Sequence, residues 1–331
     1  MLNIIDCIPE GLPGLAANEL HRVLPGPTLL HLRGQRPEPV FVSVLLHGNE
    51  HTGWEVLRGL LSEYRDRELP RSLSVFIGNI EAARYNKRYL DQQPDYNRIW
   101  CDGETPEHKM MLRVVDEMKH RKAFLSIDIH NNTGRNPHYA CVNNTYSRYL
   151  QIARLFSRTV VYFIRPKGVQ SMAFAEFCPA VTVECGASGE PDGVKHAGEF
   201  VRTCLGLEKI PDHTLNNREI DLYHTVGIVK ILPDIRFGFD HGDADLLLEK
   251  KIETSNFREL PGGTVFGQVR DGMDQVLEIL DEQGNEVHEQ YFSIENGCLR
   301  SRRSIVPAMI TVNEEAIRKD CFFYIMEHYP L

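Results

Sequence analysis

Val40-Phe-Val-Ser-Val-Leu-Leu46, running into His47-Gly-Asn-Glu50, is the stretch that decides how this chain folds. Six of its first seven residues are apolar and three are valine, the composition of a strand buried on both faces of a parallel sheet. The run stops at a turn carrying a His and a Glu three positions apart, and open α/β sheets build their sites at strand ends. Two such side chains can converge on one ion, and the ligand types suggest zinc.

A His-x-x-Glu pair is weak evidence by itself, because a chain with 14 histidines is expected to contain about one by chance. His196-Ala-Gly-Glu199 is such a decoy: it lies in a predicted helix after Pro191-Asp-Gly193, where an i, i+3 pair is usually a solvated face. What separates His47 and Glu50 from the decoy is a third ligand at the end of another apolar run. Ala123-Phe-Leu-Ser-Ile-Asp-Ile129 delivers it as His130. Two imidazoles and one carboxylate, with a position left for water, form the ligand set of hydrolytic zinc sites; structural sites are closed by four protein ligands, mostly Cys. The eight cysteines include no Cys-x-x-Cys pair, which argues against a ribbon or finger. Scattered in apolar surroundings, with no signal peptide after Met1, they point to a reducing, cytoplasmic compartment.

A length of 331 residues suggests about two domains. The net charge of −9 and the lack of a basic face argue against a nucleic-acid partner, and no apolar run approaches a membrane span. From Val40 to about Leu207, strand-like runs (40–46, 73–77, 123–129, 159–163, 180–183) alternate with amphipathic segments (54–64, 107–121, 147–157, 193–205). That alternation predicts an α/β domain, residues 1–210, whose sheet carries helices on both faces. Beyond Ile210 the texture changes to short strands broken by Pro261-Gly-Gly263, Asp271-Gly272 and Gln283-Gly-Asn285, which predicts a smaller β-rich domain over 211–331. Residues 1–35, rich in Pro and Gly, give no clear element.

Together, His47-Gly-Asn-Glu50, Asn79 through Arg88-Tyr-Leu-Asp91, Asp95-Tyr-Asn-Arg98, Asp128-Ile-His-Asn131 and Val183-Glu-Cys-Gly186 resemble the succinylglutamate desuccinylase/aspartoacylase family, a branch of the zinc carboxypeptidase-like hydrolases. The likeness covers about Val40 to Ala197. Ile220-Asp-Leu-Tyr223 and Val306-Pro-Ala308 with Val312-Asn-Glu314 look like the ends of the family's C-terminal β domain. The resemblance implies a mixed sheet, one zinc ion per chain held by His47, Glu50 and His130, and Glu184 as general base. It also implies Arg88 as the cation that stabilises charge on the scissile carbonyl, with Asn97 and Arg98 gripping a substrate carboxylate, for which a planar guanidinium fork is suited. Asp128, two positions before His130 and on the same strand face, could orient that ligand or be a satisfied strand polar. His51 and His138 read as loop histidines, the latter near the pocket or capping a turn. Cys185 reads as core.

Two departures bear on substrate. The family member that acts on N-acetylaspartate has a tyrosine three positions after the Glu of its Asn-Glu motif and an arginine ten residues before its catalytic Glu; here those places fall on Ile317 and Phe174. Arg165 or Lys167, on the preceding loop, are the available cations. The expectation is a zinc-dependent hydrolase that cleaves the amide bond of an N-acylated amino acid or similar small carboxylate-bearing amide. A carboxypeptidase-type metallopeptidase acting on peptide C-termini is the alternative. A metal-holding binding module without turnover is disfavoured, because Glu184 and Arg88 are not needed merely to hold an ion. The partner is a small-molecule substrate, with no nucleic acid or membrane, and a homo-oligomer is left open.

Overall fold

A computed structural model describes residues 1–240 and 242–331. The chain divides into two compact units, one of residues 1–131, 138–222 and Leu331, the other of residues 132–137 and 223–330.

The first unit contains β1 (Asn3–Ile5), β2 (Thr28–Leu32), β3 (Gly34–Val44), α1 (Thr52–Glu63), β4 (Leu69–Ile77), α2 (Ile80–Arg84), α3 (Pro106–His120), β5 (Leu125–His130), β6 (Tyr139–Val142), α4 (Ser147–Phe156), β7 (Thr159–Tyr162), α5 (Gln170–Ala175), β8 (Ala180–Glu184) and α6 (Pro191–Gly206). Its eight strands stand in the order β1-β2-β4-β3-β5-β8-β6-β7. The four central ones, β4, β3, β5 and β8, are parallel, whereas β2 and β6 run antiparallel to their central neighbours. The sheet is therefore mixed.

Each residue from Val40 to Leu46 is at most 1% exposed, as a strand covered on both faces requires. Alternation sends Val44 to one face, where α1 comes so close that a Cβ on Gly53 would lie 2.7 Å from Val44 Cγ1. Phe41 points to the other face, stacks on Phe174 of α5 at 4.3 Å, and joins Met111, Val114 and Met118 of α3 in one apolar cluster. Helices thus cover both faces. Thr105 opens α3 by accepting the His108 N–H, and Pro106 occupies the first helical position, where its missing N–H costs nothing.

Residues 1–35 supply β1, β2 and two short 3₁₀ turns, with β2 lying antiparallel to β4. β6, four residues long, is too short for its periodicity to show in the sequence.

In the second unit, β9 (Asp221–Ile231), which begins at the end of the first, is flanked by antiparallel β13 (Leu277–Asp281) and β17 (Phe323–His328), with β16 (Val306–Ala308) beside β17. A five-stranded sheet has the order β10 (Phe237–Phe239), β11 (Leu246–Leu248), β12 (Val265–Val269), β15 (Cys298–Ser301), β14 (Phe292–Glu295). Two short α-helices, α7 (His288–Tyr291) and α8 (Glu314–Lys319), and a 3₁₀ helix, Lys250–Ser255, lie between its strands. Phe266, Phe292, Phe322 and Phe323 centre its core, and Ile317 is buried among them. Among the described residues, no helix is long and apolar enough to cross a membrane.

Candidate metal centre

His47 and Glu50 lie on the turn leaving β3, and His130 is the last residue of the adjacent β5. The pairing of β3 with β5 brings these two strand ends together. One ligand atom from each residue lies within 4.8 Å of the others, and all three residues are buried; they form the sole such group among the described residues. The imidazoles are arranged alike. His47 Nδ1 is 2.8 Å from Glu50 Oε1, and His130 Nδ1 is 2.7 Å from Glu50 Oε2. Their outer nitrogens each meet an aspartate: His47 Nε2 lies 3.0 Å from Asp95 Oδ1 and His130 Nε2 lies 2.7 Å from Asp128 Oδ2. A carboxylate on the outer nitrogen fixes ring orientation and leaves the inner nitrogen to face an ion. Asp128 therefore orients His130, and it is itself fixed by the Ser43 hydroxyl, which donates to Oδ1 at 2.7 Å.

Asp95 has the same relation to His47, and nothing in the sequence beyond its place in the Asp-Tyr-Asn-Arg run signals it. The same carboxylate accepts from Arg88 Nε and Nη2 at 3.1 and 3.0 Å and from the Asn97 N–H at 2.8 Å. Arg88 Nη1 lies 4.0 Å from Glu50 Oε1, so the arginine stands beside the triad. Asn97 Nδ2 is 3.2 Å from His130 Nε2, and Arg98 Nη1 donates to the Asn97 carbonyl at 2.9 Å. Asn131 donates its N–H to Glu50 Oε2 and its carboxamide to Thr52 and to the Gly186 carbonyl, tying the ends of β5 and β8 to the start of α1.

Electrostatics favour positive charge here. Burial alone would raise the Glu50 carboxyl, but the two imidazoles hold it well below the usual carboxylate range. Asp95 is likewise held low against burial by His47 first and then by Arg88 and Arg98. Burial and Arg88 push His47 down, yet Glu50 and Asp95 outweigh them and raise it; burial opposes His130 too, which Asp128 and Glu50 raise well above its ordinary value. Three carboxylates thus surround two imidazoles that would otherwise be neutral, and the two nitrogens and one carboxylate facing inward are a donor set suited to zinc.

Glu184 ends β8 and is the register partner of His130, so the two side chains leave the same sheet face on strands about 4.8 Å apart. Cys185 is fully buried, and burial, with a smaller push from Glu184, raises its thiol well above the ordinary range; it is core. The decoy separates as expected, with His196 in α6 donating from Nε2 to the Phe156 carbonyl at 2.7 Å while Glu199 is exposed. His138 stacks on His196 with ring centroids 5.0 Å apart. His51 folds back so that Nε2 meets the Gly48 carbonyl at 3.1 Å. Phe174 is core. Arg165 is half-buried and Lys167 exposed, on a loop whose Gly168 carbonyl accepts from Trp100 N–H at 2.9 Å, close to Arg98.

The chain has the fold of the succinylglutamate desuccinylase from Chromobacterium violaceum, at 18% identity, covering 90% of this chain and 87% of that one with a TM-score of 0.55. Murine aminoacylase 3 superposes with a TM-score of 0.58 at 16% identity, over 90% of this chain and 97% of that one. A succinylglutamate desuccinylase/aspartoacylase from Rhodobacter sphaeroides gives a TM-score of 0.58 at 15% identity, over 92% and 89%. No curated protein matches the sequence. The profile of the succinylglutamate desuccinylase/aspartoacylase catalytic domain matches residues 38–213, which hold all three candidate ligands. This chain belongs to the succinylglutamate desuccinylase/aspartoacylase family.

Proposed function

We propose that the chain is a zinc-dependent amidohydrolase that cleaves the amide bond of an N-acylated amino acid or similar small carboxylate-bearing amide. The observation that carries this reading is the pair of histidine Nδ1 atoms turned on the Glu50 carboxylate, each ring held from behind by an aspartate. Zinc held by His47, Glu50 and His130 would polarise a carbonyl oxygen and bring the pKa of water from 15.7 toward ~7.

The protein's own groups do the rest. Glu184 accepts a proton from the attacking water and returns it to the leaving amine nitrogen, general acid–base work that contributes ~10²–10⁴-fold. Arg88, held on Asp95 beside the triad, offers fixed positive charge to the carbonyl oxygen as it becomes anionic. Asn97 and Arg98 receive the substrate carboxylate, each charge-assisted bond contributing ~1.5–3 kcal/mol. The core positions of Phe174 and Ile317 support a substrate without a second carboxylate.

A panel of N-acyl amino acids and short peptides, assayed with the zinc-loaded chain, tests the reading. Turnover of acyl amino acids is expected, falling at least ~10²-fold in Glu184→Ala with zinc retained. Unchanged kcat in that variant removes Glu184 as base, and hydrolysis of peptides alone favours the peptidase alternative.

A further inference from the structure

We propose that Gln170 is a positioning residue for the substrate carboxylate, its backbone N–H fixing which way the Asn97 carboxamide faces. The inference rests on the role given to Asn97 above. Asn97 is buried, and its Oδ1 accepts the Gln170 N–H at 2.9 Å. Its Nδ2 therefore turns the other way, toward His130. With the oxygen engaged, the carboxamide has only N–H groups to offer the site, and Arg98 beside it is donor-only as well. Such a subsite suits an acceptor, a carboxylate.

Gln170 can do this because it is the first residue of α5, whose N–H has no partner inside the helix. α5 is held in place from three sides. Phe174 stacks on Phe41 in the core, and Gln170 Nε2 donates to Ser126 Oγ on β5 at 2.7 Å. Gly168, at φ +76°, lies so near the Arg98 carbonyl that a Cβ would stand 2.3 Å from its oxygen. The orientation of Asn97 is thus borrowed from a rigid element rather than set by its own loop.

The position allows a clean test. Proline is tolerated at the first helical residue, and Val169, at φ −83° and ψ 153°, already has the backbone that proline demands of its predecessor. Gln170→Pro removes the N–H, whereas Gln170→Ala keeps it and loses the side chain. With zinc-loaded enzyme and the best acyl amino acid of the panel, Gln170→Pro is expected to raise KM roughly 3- to 10-fold at unchanged kcat and zinc content, and Gln170→Ala, which keeps the N–H and loses the Ser126 bond, to raise it clearly less. Crystal structures of the two variants should show the Asn97 carboxamide kept in the first and rotated in the second. Equal KM in both variants, or an unrotated Asn97 in Gln170→Pro, overturns the proposal. Asn97→Ala separates the failures: an unchanged KM there refutes the gripping role itself, and if the panel yields no turnover the crystal structures alone decide the positioning. Should Gln170→Pro not fold, amide exchange decides, since Gln170 N–H should be protected in the wild type and exposed in Asn97→Ala; equal protection in both overturns the idea.

Discussion

Asp95 meets three groups at once, the outer nitrogen of His47, the Arg88 guanidinium and the Asn97 N–H. A residue that orients a candidate metal ligand and holds an arginine should affect both, and the effects can be told apart. Asp95→Asn keeps the size but weakens the hold on imidazole and guanidinium, so zinc affinity should fall about 10- to 100-fold and kcat should fall further at saturating zinc. Asp128→Asn should lower zinc affinity by a similar factor without the second effect, because Asp128 touches Ser43 and His130 but not Arg88. Zinc competition against a chromophoric chelator, with kcat at saturating metal, reads both; equal kcat losses in the two variants would mean that Asp95 does not act through Arg88. His47→Ala and His130→Ala should each abolish stoichiometric zinc by elemental analysis, and full zinc in either refutes the ligand assignment.

The elements meet where glycine permits it. Gly48 sits in the metal turn against the end of α2, where a Cβ would stand 2.2 Å from Ala83 N and 2.7 Å from the Lys87 oxygen, backbone atoms that have little room to yield. Gly48→Ala should therefore displace the His47–Glu50 turn, costing about 1–3 kcal/mol as overpacking does, and weaken zinc binding. Gly59, exposed in α1 with nothing within 4 Å of an added Cβ, should respond to the same substitution by gaining about 0.5–1 kcal/mol, the helix preference for alanine. Denaturant unfolding of the two variants should give opposite signs. Destabilisation by both would show that the close approach at Gly48 is not the cause. The same contrast explains what the sequence makes legible. β3, β5 and β8 declare themselves through unbroken apolar runs, α3 and α6 through a 3.6-residue repeat, and the ligands through their places at the ends of two such strands. β1, β2 and β6 are too short, or too mixed with turn residues, for a period to emerge. The Asp95–His47 and Gln170–Asn97 contacts escape for a different reason: they join loops to distant elements, and no local spacing encodes a contact across 48 or 73 positions.

Stability of the whole chain against acid carries a signal from one histidine that takes no part in the candidate metal centre. His31, on β2 and 5% exposed, is held to about 4 by burial first and by Arg121 second. Glu117 stands 3.7 Å away and works in the opposite direction, but its carboxylate is engaged by Arg121 Nε at 2.7 Å, so burial prevails. With an unfolded value near 6.5, the unfolded chain binds the extra proton between about pH 6.5 and 4 while the folded chain does not, so unfolding free energy rises with pH across that window. Acidification from pH 7.5 to 4.5 should therefore cost roughly 2–3 kcal/mol through this residue. In the metal-free chain the raised His47 and His130 contribute with the opposite sign, giving stability below about pH 6.5 that is lost as pH rises. His31→Asn isolates the first effect, since a carboxamide can retain a bond to Ser74 Oγ, which His31 Nδ1 meets at 2.8 Å, but cannot take the proton. Both tryptophans, Trp54 and Trp100, are buried in the first unit, so denaturant titrations followed by their fluorescence report the unit that contains His31. The wild type should lose more stability than His31→Asn between pH 7.5 and 4.5, by that margin, and parallel pH profiles for the two proteins would show that His31 is not the group whose neutrality the fold demands.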